Sequence, residues 1–439
     1  MKLLIYTPYI TTRIQYVVNY LFVDYLQWEC RLTESISDLH AYDGLKLAYA
    51  TTPVEHVKRI WQHPLLLEQT VRPQTIDLFE WENGLPAFFK TDDADTFIPF
   101  DLFAASFYLL TRYEEYISNE TDRFGRFKPE QSTAFRGGFL KRPLVNHWMV
   151  HLSKKLTGED DFEACSSRRF SYLATYDIDH AFLFRHKGIY MNLGGFLKDL
   201  SKGNLKQSKH RLLTVSRFQK DPYDAYDFLF TLNKRFKLNP YYFILCAEKR
   251  SKYDRNIPLA NKAFDRLLNR LKQHGIIGLH PSFMAGNNLS MIDTEKKSLE
   301  SAIQLPVRWS RQHFLLLKFP DTYRALEASG ITTDFTMGYA AYPGFRASVS
   351  TAYLFFDLPR NRVTSLRIQP FAYMDATLHD YLNLSPQEAE AVIRGLIDEV
   401  KAVRGEFVSL WHNNALSNHG KWCGWKAVYY HSLRYALEK

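Results

Sequence analysis

Two aspartates one residue apart follow an apolar, β-forming run in the segment FSYLATYDIDHAFLFR, which spans residues 170–185. Because successive side chains of a strand alternate between its two faces, Asp177 and Asp179 are expected on the same face. One such carboxylate can bind a divalent metal while its neighbour accepts a proton. A turn or a loop cap is the structural alternative for a single pair of this kind.

Two later apolar runs end in a histidine: GIIGLH ends in His280, and EFVSLWH ends in His412. The C-terminal strand ends of a parallel α/β barrel carry its active site, so residues far apart in sequence meet there. Carboxylate and imidazole together suit zinc, manganese, cobalt or nickel. A lone histidine after a strand is more often structural, but three polar strand ends in one alternating region favour a metal site.

Alternating strands and helices after residue 168 would bring these strand ends together. The predicted strands are FSYLATYD, YYFILCA, GIIGLH, TTDFTMG, TSLRIQPFAYMD and EFVSLWH. The predicted helices are DPYDAYDFLFTLNKRF, LANKAFDRLLNRLKQH, DTEKKSLESAIQ, FPDTYRALEASG and SPQEAEAVIRGLIDEVKAVRG, with starts at Asp221-Pro222 and Ser385-Pro386. Alternation over about 270 residues predicts a parallel α/β barrel or a doubly wound sheet.

A polar segment, LTGEDDFEACSSRR at residues 156–169, predicts a domain boundary in this chain of 439 residues. We expect an N-terminal α/β domain over residues 1–160 and a second domain over residues 168–439. In the first domain, KLLIYTPY predicts a strand and VEHVKRIWQHPLLLEQ a helix. PFDLFAASFYLLTRYEEYI predicts a long buried helix that Pro99 and Asp101 open. No catalytic constellation is evident in this first domain.

The four cysteines are scattered without CxxC spacing, which argues against a disulfide framework or a cysteine zinc site. The first residues are too polar for a signal peptide, and no apolar run approaches the roughly 20 residues of a membrane span. We therefore expect a cytoplasmic protein.

The net charge of +9 is concentrated in one segment, since residues 185–220 hold nine lysines and arginines against one acid, Asp199. Apolar residues are interleaved with these charges. A solvated loop and helix is the simpler explanation. The alternative is a peripheral surface for anionic lipid or anionic glycan, which would place the protein at the inner membrane. Nucleic acid is not expected, because no nucleic-acid motif accompanies the charge.

Four short motifs, TYDID, LHPS, GFRAS and LWH, together resemble the polysaccharide deacetylases of the NodB-homology group, carbohydrate esterase family four. The resemblance implies that Asp177 is the catalytic base and that Asp179 and His280 bind the metal. It also implies that Arg346 steadies the base and that His412 is the general acid. The third motif departs from the family pattern, because alanine follows its arginine where the family has proline.

The whole chain is similar to a bacterial subgroup in which an uncharacterised N-terminal domain precedes the deacetylase domain. The segments that carry this similarity are PFDLFAASFYLLTRYEEY, SRQHFLLLKFPDTYRALEASGI, DFTMGYAAYPGFRAS and MDATLHDYL. The resemblance implies a deformed (β/α) barrel and a hydrolase acting on the carbon–nitrogen bond of an N-acetylated glycan. It implies a divalent cofactor, with zinc first and manganese, cobalt or nickel as alternatives.

The family's second metal-binding histidine is absent, since its position is occupied by Met284. A thioether is a soft ligand that suits a hydrolytic metal poorly, and catalytic zinc sites use three protein ligands. We expect His313, in VRWSRQHFLLL, to supply the third ligand. His180 and His412 are the other candidates, and a structural role at a helix start is the alternative for His313.

Asp375, in YMDATL, is expected to orient His412 or Arg346, with a strand-end turn as an equal alternative. A glycosidase fits less well, because its two carboxyl groups would lie about 5–9 Å apart across a cleft and His280 would have no role. Two other functions stay open: a catalytically inactive sugar-binding or scaffold protein, which Met284 suggests, and another barrel metallohydrolase.

Overall fold

The computed structural model describes residues 1–118, 120–249 and 251–438, which form a mixed α/β protein. The strands are β1 (Lys2–Tyr6), β2 (Glu29–Thr33), β3 (Leu45–Tyr49), β4 (Arg59–Ile60), β5 (Phe79–Trp81), β6 (Leu85–Ala87), β7 (Ser171–Ile178), β8 (Tyr241–Leu245), β9 (Ile276–His280), β10 (Trp309–Ser310), β11 (Thr333–Asp334), β12 (Tyr353–Asp357), β13 (Arg362–Ile368), β14 (Tyr373–Met374) and β15 (Glu406–His412).

The α-helices are α1 (Thr12–Val18), α2 (Ile36–Ala41), α3 (Leu102–Leu110), α4 (Thr133–Arg136), α5 (Leu144–Thr157), α6 (Phe162–Cys165), α7 (Ile189–Ser201), α8 (Leu205–Val215), α9 (Tyr226–Arg235), α10 (Lys262–Gln273), α11 (Phe283–Asn287), α12 (Met291–Ile303), α13 (Asp321–Ala328), α14 (Pro386–Ala402) and α15 (Trp425–Leu437). Within the described ranges, no helix is both long enough and apolar enough to cross a membrane.

The N-terminal part is built on a four-stranded parallel sheet with the order β2-β1-β3-β4. The predicted first strand is confirmed as β1. The predicted helix over residues 54–69 is wrong, because this segment holds β4 and a short 3₁₀ turn, Pro64–Leu66. Pro64 disfavours helical backbone at the residue before it, which explains why the helix does not form.

The predicted long helix after Pro99 is confirmed over α3 but ends sooner than expected. Asp101 caps its start by accepting a hydrogen bond from the Ala104 amide at 2.8 Å. Burial raises the pKa of Asp101 to about 7, despite this bond and one from Tyr49. After Leu110 the chain turns through Arg112, whose φ of 55° lies in the left-handed region, and so the helix stops.

The C-terminal part is built on a nine-stranded sheet with the order β12-β13-β11-β10-β9-β8-β7-β15-β14. Its strands are parallel except for β12, which is antiparallel to β13. The six predicted strands are found, but TSLRIQPFAYMD forms two strands, β13 and β14, because Pro370 interrupts the ladder. Strand β12 was not predicted. Among the described residues no pairing joins the edge strands β12 and β14, so barrel closure is not shown.

All five predicted helices of the C-terminal part are found, as α9, α10, α12, α13 and α14. Ser385 and Glu388 form a capping box at the start of α14. Asp221 does not cap α9; its carboxylate instead accepts hydrogen bonds from the amides of residues 183–185. Helices α7, α8, α11 and α15 were not individually predicted.

The N-terminal and C-terminal parts share one continuous hydrophobic core. Three tyrosines of the first 25 residues form hydrogen bonds with the C-terminal part. Tyr16 donates to the Leu354 carbonyl, Tyr20 bonds the Thr351 hydroxyl, and Tyr25 donates to the Val403 carbonyl. The predicted boundary between residues 160 and 168 falls between α5 and β7, and the division into two domains stays a prediction.

Candidate active site

The polar strand ends meet at one edge of the large sheet. In the register between β15 and β7, His412 lies opposite Asp177, and β8 connects β7 to β9 and so brings His280 beside them. The residues that follow β10 and β14 complete the edge. A cavity of about 260 Å³ lies at this edge. The predicted site residues that line or adjoin this cavity are Asp177, Asp179, His280, His313, Asp375 and His412.

Three imidazoles converge on the carboxylate of Asp179. Its Oδ1 lies 3.2 Å from His280 Nε2, and its Oδ2 lies 3.4 Å from His313 Nε2 and 3.5 Å from His412 Nε2. Asp179 Oδ1 is buried and has no hydrogen-bond partner among the described residues. A buried carboxylate oxygen without a donor is costly unless a cation satisfies it.

Each of the three imidazoles is oriented by an acceptor at Nδ1, which leaves Nε2 facing Asp179. Since a carbonyl or carboxylate oxygen accepts, the Nδ1 atoms donate. The partners are the Arg311 carbonyl for His280 at 2.5 Å, Asp254 for His313 at 3.0 Å and Asp375 for His412 at 2.7 Å.

Asp179, His280 and His313 form a set that fits a divalent metal, because one ligand atom from each lies within 4.8 Å of the others. One hard oxygen and two borderline nitrogens match zinc, manganese, cobalt or nickel, and three protein ligands leave an open position. The unbonded Asp179 Oδ1 supports this fit.

The charges of this cluster are strongly coupled. Burial acts to raise the pKa of Asp179, but His313 and His412 outweigh it and hold the pKa well below its usual value. Burial acts to lower the pKa of His313, but Asp179 and Asp254 raise it to about 9. Burial also lowers the pKa of His412, while Asp375 and Asp179 raise it to about 10. Both shifts favour the protonated form of the imidazole near neutral pH.

Asp177 differs from Asp179 because a guanidinium holds one of its oxygens. Arg311 Nη1 donates to Asp177 Oδ1 at 2.8 Å, and both side chains are buried. The second oxygen, Oδ2, lies 3.7 Å from His280 Nε2. Phe243 supports the arginine from one side, with the guanidinium carbon 4.6 Å from the ring centre.

The expected position of Arg346 beside Asp177 is wrong, because Arg311 occupies that place. Arg346 is buried and donates two hydrogen bonds to Glu115, at 2.9 and 2.5 Å. Arg112 bonds the same carboxylate at 2.8 Å. The GFRAS segment therefore joins the C-terminal part to the N-terminal part through a buried ion network, and its arginine is satisfied there.

The third candidate ligand, His313, lies in a strained turn and not at the position of Met284. Met284 is 37% exposed on α11, whereas His313 is buried. Phe314 and Leu315, directly after His313, have φ values of 60° and 54°. Such left-handed backbone costs on the order of 1–3 kcal/mol per residue and persists where packing enforces it. The Phe314 ring packs 5.2 Å from that of Phe283, which helps to hold the turn.

Three functional candidates were missed by the sequence analysis: Arg311, Gln312 and Asp254. The first two adjoin His313 in the SRQH segment, so their proximity to a predicted ligand was a usable signal. Asp254 lies between β8 and α10 without a motif. Gln312 is fully buried and lines the cavity, and neither its Oε1 nor its Nε2 has a hydrogen-bond partner among the described residues.

The N-terminal part reaches the rim of the cavity through Arg126. Its Nη1 donates to the Phe314 carbonyl at 3.0 Å, and its Nη2 donates to the Tyr381 hydroxyl at 3.3 Å. Asp122 pairs with the same guanidinium. A larger cavity, of about 870 Å³, is lined by residues of α10, α12 and the chain after β8, away from these groups.

A comparison with protein-family models finds a match in the N-terminal part of the chain. A profile described as "Family of unknown function (DUF7033)" matches residues 3–161, which is consistent with an uncharacterised domain there. No curated protein matches the chain.

Two solved structures that resemble this chain are polysaccharide deacetylases by their descriptions. One, described as a candidate polysaccharide deacetylase from Mycobacterium smegmatis, has 12% identity and a TM-score of 0.40, covering 61% of this chain and 85% of that chain. The other, a polysaccharide deacetylase from Bacillus cereus, has 12% identity and a TM-score of 0.29, covering 62% of this chain and 86% of that chain. Likeness at this level establishes no activity for this chain.

Proposed function

We propose that this protein is a metal-dependent hydrolase that removes the acetyl group from an N-acetylated sugar. The observation that carries the proposal is the arrangement of Asp179, His280 and His313 as a candidate metal site beside Asp177 and His412 in one cavity. The division into ligands, base and acid follows from what each side chain contacts, and it agrees with the sequence motifs.

The proposed ligands are Asp179, His280 and His313, and zinc is the first candidate. The chemistry that such an ion supplies when bound is polarisation of an amide carbonyl and acidification of water. The Arg311 carbonyl and Asp254 accept from Nδ1 of the two imidazoles, which turns Nε2 of each toward the proposed ion. His412 is left out of the ligand set because its proton is needed elsewhere.

Asp177 is the proposed general base. Its Oδ1 accepts a hydrogen bond from Arg311, while Oδ2 faces His280 and the cavity. Oδ2 takes the proton of the attacking water as the new carbon–oxygen bond forms at the acetyl carbon. A carboxylate in this role contributes about 10²–10⁴-fold to the rate.

His412 is the proposed general acid. Asp375 accepts from its Nδ1 and raises its pKa against the effect of burial, so Nε2 carries a proton at neutral pH. That proton passes to the sugar nitrogen as the carbon–nitrogen bond breaks, which yields acetate and a free amine. An amine leaves poorly without this proton, so catalysis requires a protonated His412.

Gln312 is proposed to bind the substrate. Its buried carboxamide offers one acceptor and one donor without partners, and an acetamido group offers the complementary pair. The cavity of about 260 Å³ lies near the small end of ligand sites, about 300–1,000 Å³, and favours one sugar unit.

We also propose that the nine-stranded sheet is a deformed (β/α) barrel. Strand β13 pairs with β11, and β14, four residues later, pairs with β15. One stretch of chain therefore links both ends of the parallel run β15-β7-β8-β9-β10-β11. An inactive sugar-binding protein is the less favoured alternative, since His313 would supply the third metal ligand that Met284 does not supply. The cytoplasmic location stays a prediction.

The proposal is tested by incubating the purified chain, loaded with zinc, with N-acetylated oligosaccharides and measuring acetate and free amine. We expect equal amounts of both, loss of turnover after chelation and recovery on adding zinc. Release of neither product by a zinc-loaded, folded chain, with sugar binding intact, would favour the inactive binding protein.

A further inference from the structure

A helical hairpin, α7 and α8, presents apolar side chains to solvent. We call the surface formed by residues 189–218 the hairpin surface. Ile189, Tyr190 and Phe218 are 82%, 92% and 81% exposed, far above what a folded interior requires. The other exposed large apolar residues of this surface are Met191, Leu193, Leu197, Leu200, Leu205, Leu212 and Val215. So many exposed large apolar side chains within one short segment indicate an interaction site.

The apolar side of α7 faces away from the protein. Its opposite side packs on α8, where Arg211 pairs with Asp199 at 2.9 Å and its guanidinium lies against Gly195. Leu193, Leu197 and Leu200 follow helical spacing, so they share one face. The usual arrangement of a surface helix is therefore reversed, since its apolar face is outward.

The same helical hairpin also exposes basic residues. Lys198, Lys202, Lys206, Lys209 and Arg217 are all exposed, and the one acid of the segment is paired with Arg211. Apolar side chains among lysines match the interface of an anionic bilayer, where chains enter the acyl boundary and ammonium groups meet head groups. A protein partner or a second copy of this chain would need an acidic surface.

We infer that the hairpin surface docks on a bilayer containing anionic lipid. The apolar side chains insert, and the exposed lysines contact the head groups. The inference concerns a surface outside the cavity and holds whether or not the proposed activity is correct.

The hairpin surface is fixed to the edge of the sheet that carries the cavity. Asp221 accepts hydrogen bonds from the amides of Leu183 and Phe184, which lead into α7. Asn413, next to His412, donates to the His180 carbonyl at 2.9 Å. A docked hairpin would therefore hold the cavity close to the bilayer, where a sugar linked to lipid is accessible.

The test is sedimentation of the full chain with vesicles of phosphatidylcholine, with and without phosphatidylglycerol. One variant combines Lys202→Glu, Lys206→Glu and Lys209→Glu, and its matched control combines Lys2→Glu, Lys141→Glu and Lys234→Glu. A second variant replaces Tyr190, Leu193 and Leu197 by serine. Its control replaces the exposed residues Ile36, Leu67 and Leu78 by serine.

We expect binding to anionic vesicles that weakens with salt and is absent with phosphatidylcholine alone. The lysine variant should lose affinity on the order of a hundredfold and the apolar variant at least about tenfold, with both controls unchanged. Melting curves of the variants should match wild type, because the replaced residues are exposed. No binding at low salt, equal binding to both vesicle types, or binding that survives both variants would overturn the inference.

Discussion

Replacing Asp254 by asparagine tests how the candidate metal site is oriented, because it removes a charge without removing a ligand. Asp254 Oδ1 accepts from His313 Nδ1 at 3.0 Å and from the Phe283 amide at 2.8 Å, and Oδ2 accepts from the Ser251 hydroxyl. Asparagine keeps the Oδ1 acceptor but weakens the hold on His313. Loss of such an outer partner typically lowers metal affinity by 10–100-fold.

That range corresponds to about 1.4–2.7 kcal/mol of binding free energy. The substitution also has a structural cost, because Ser251 Oγ already accepts from the amides of Tyr253 and Asp254. The new amide group at the Oδ2 position therefore lacks an acceptor, which costs about 1–3 kcal/mol of stability. The two effects need separate measurements.

Asp375→Asn is the matched control. Asp375 Oδ1 accepts from His412 Nδ1, and Oδ2 accepts from the His412 amide at 2.6 Å, so asparagine again loses one acceptor. Both variants should lose similar stability in urea unfolding. Only Asp254→Asn should lose zinc affinity, in competition with a fluorescent chelator, while Asp375→Asn should lose turnover by at least about 10²-fold. Equal zinc affinity in Asp254→Asn and wild type would refute this orienting role.

Zinc affinity should rise by about tenfold per pH unit from pH 7 toward 9, since the ion must displace the proton of His313, and titrations at several pH values measure this. Asp177→Asn should retain zinc but lose about 10²–10⁴-fold in turnover, as measured by acetate release. Arg346→Met should lower the free energy of unfolding by about 3–5 kcal/mol and leave turnover per folded molecule unchanged, as urea titration and acetate assays would show. Gln312→Leu should raise KM more than tenfold with zinc affinity unchanged; an unchanged KM would remove Gln312 from the substrate site.

The parts of the site that lie at strand ends were visible in the sequence. Asp177, His280 and His412 each follow a run of apolar, β-forming residues, and parallel pairing of β7 with β8 and β15 brings such ends together. The alternation of elements is a local pattern, and it predicted most of the C-terminal strands and helices.

The residue that contacts the proposed base, Asp177, is determined by tertiary contacts that no local sequence pattern predicts. Strand β10 has only two residues, so the position of Arg311 is set by pairing with β9 and β11. Arg346 lies in a motif that resembles the family's arginine motif, but Glu115 of the N-terminal part binds it. The resemblance implied that Arg346 lies beside Asp177, whereas Arg311 occupies that position.

For a related reason, no sequence pattern predicted that Asp254 and Arg126 lie at the site. Each lies in a connecting segment without apolar periodicity, and each reaches the site only because distant parts of the chain pack together. Strand β4 could not be predicted from the sequence for the same reason, because it has only two residues and forms by pairing with β3.

The central claim is that Asp179, His280 and His313 hold a divalent metal while Asp177 and His412 stay free to move protons. Anomalous X-ray scattering at the zinc edge, from crystals of the zinc-loaded chain, tests it most directly. We predict one strong peak within ligand distance of Asp179, His280 Nε2 and His313 Nε2, at about 2.0–2.2 Å. A peak that takes His412 in place of His313, or no peak at Asp179, would contradict the account.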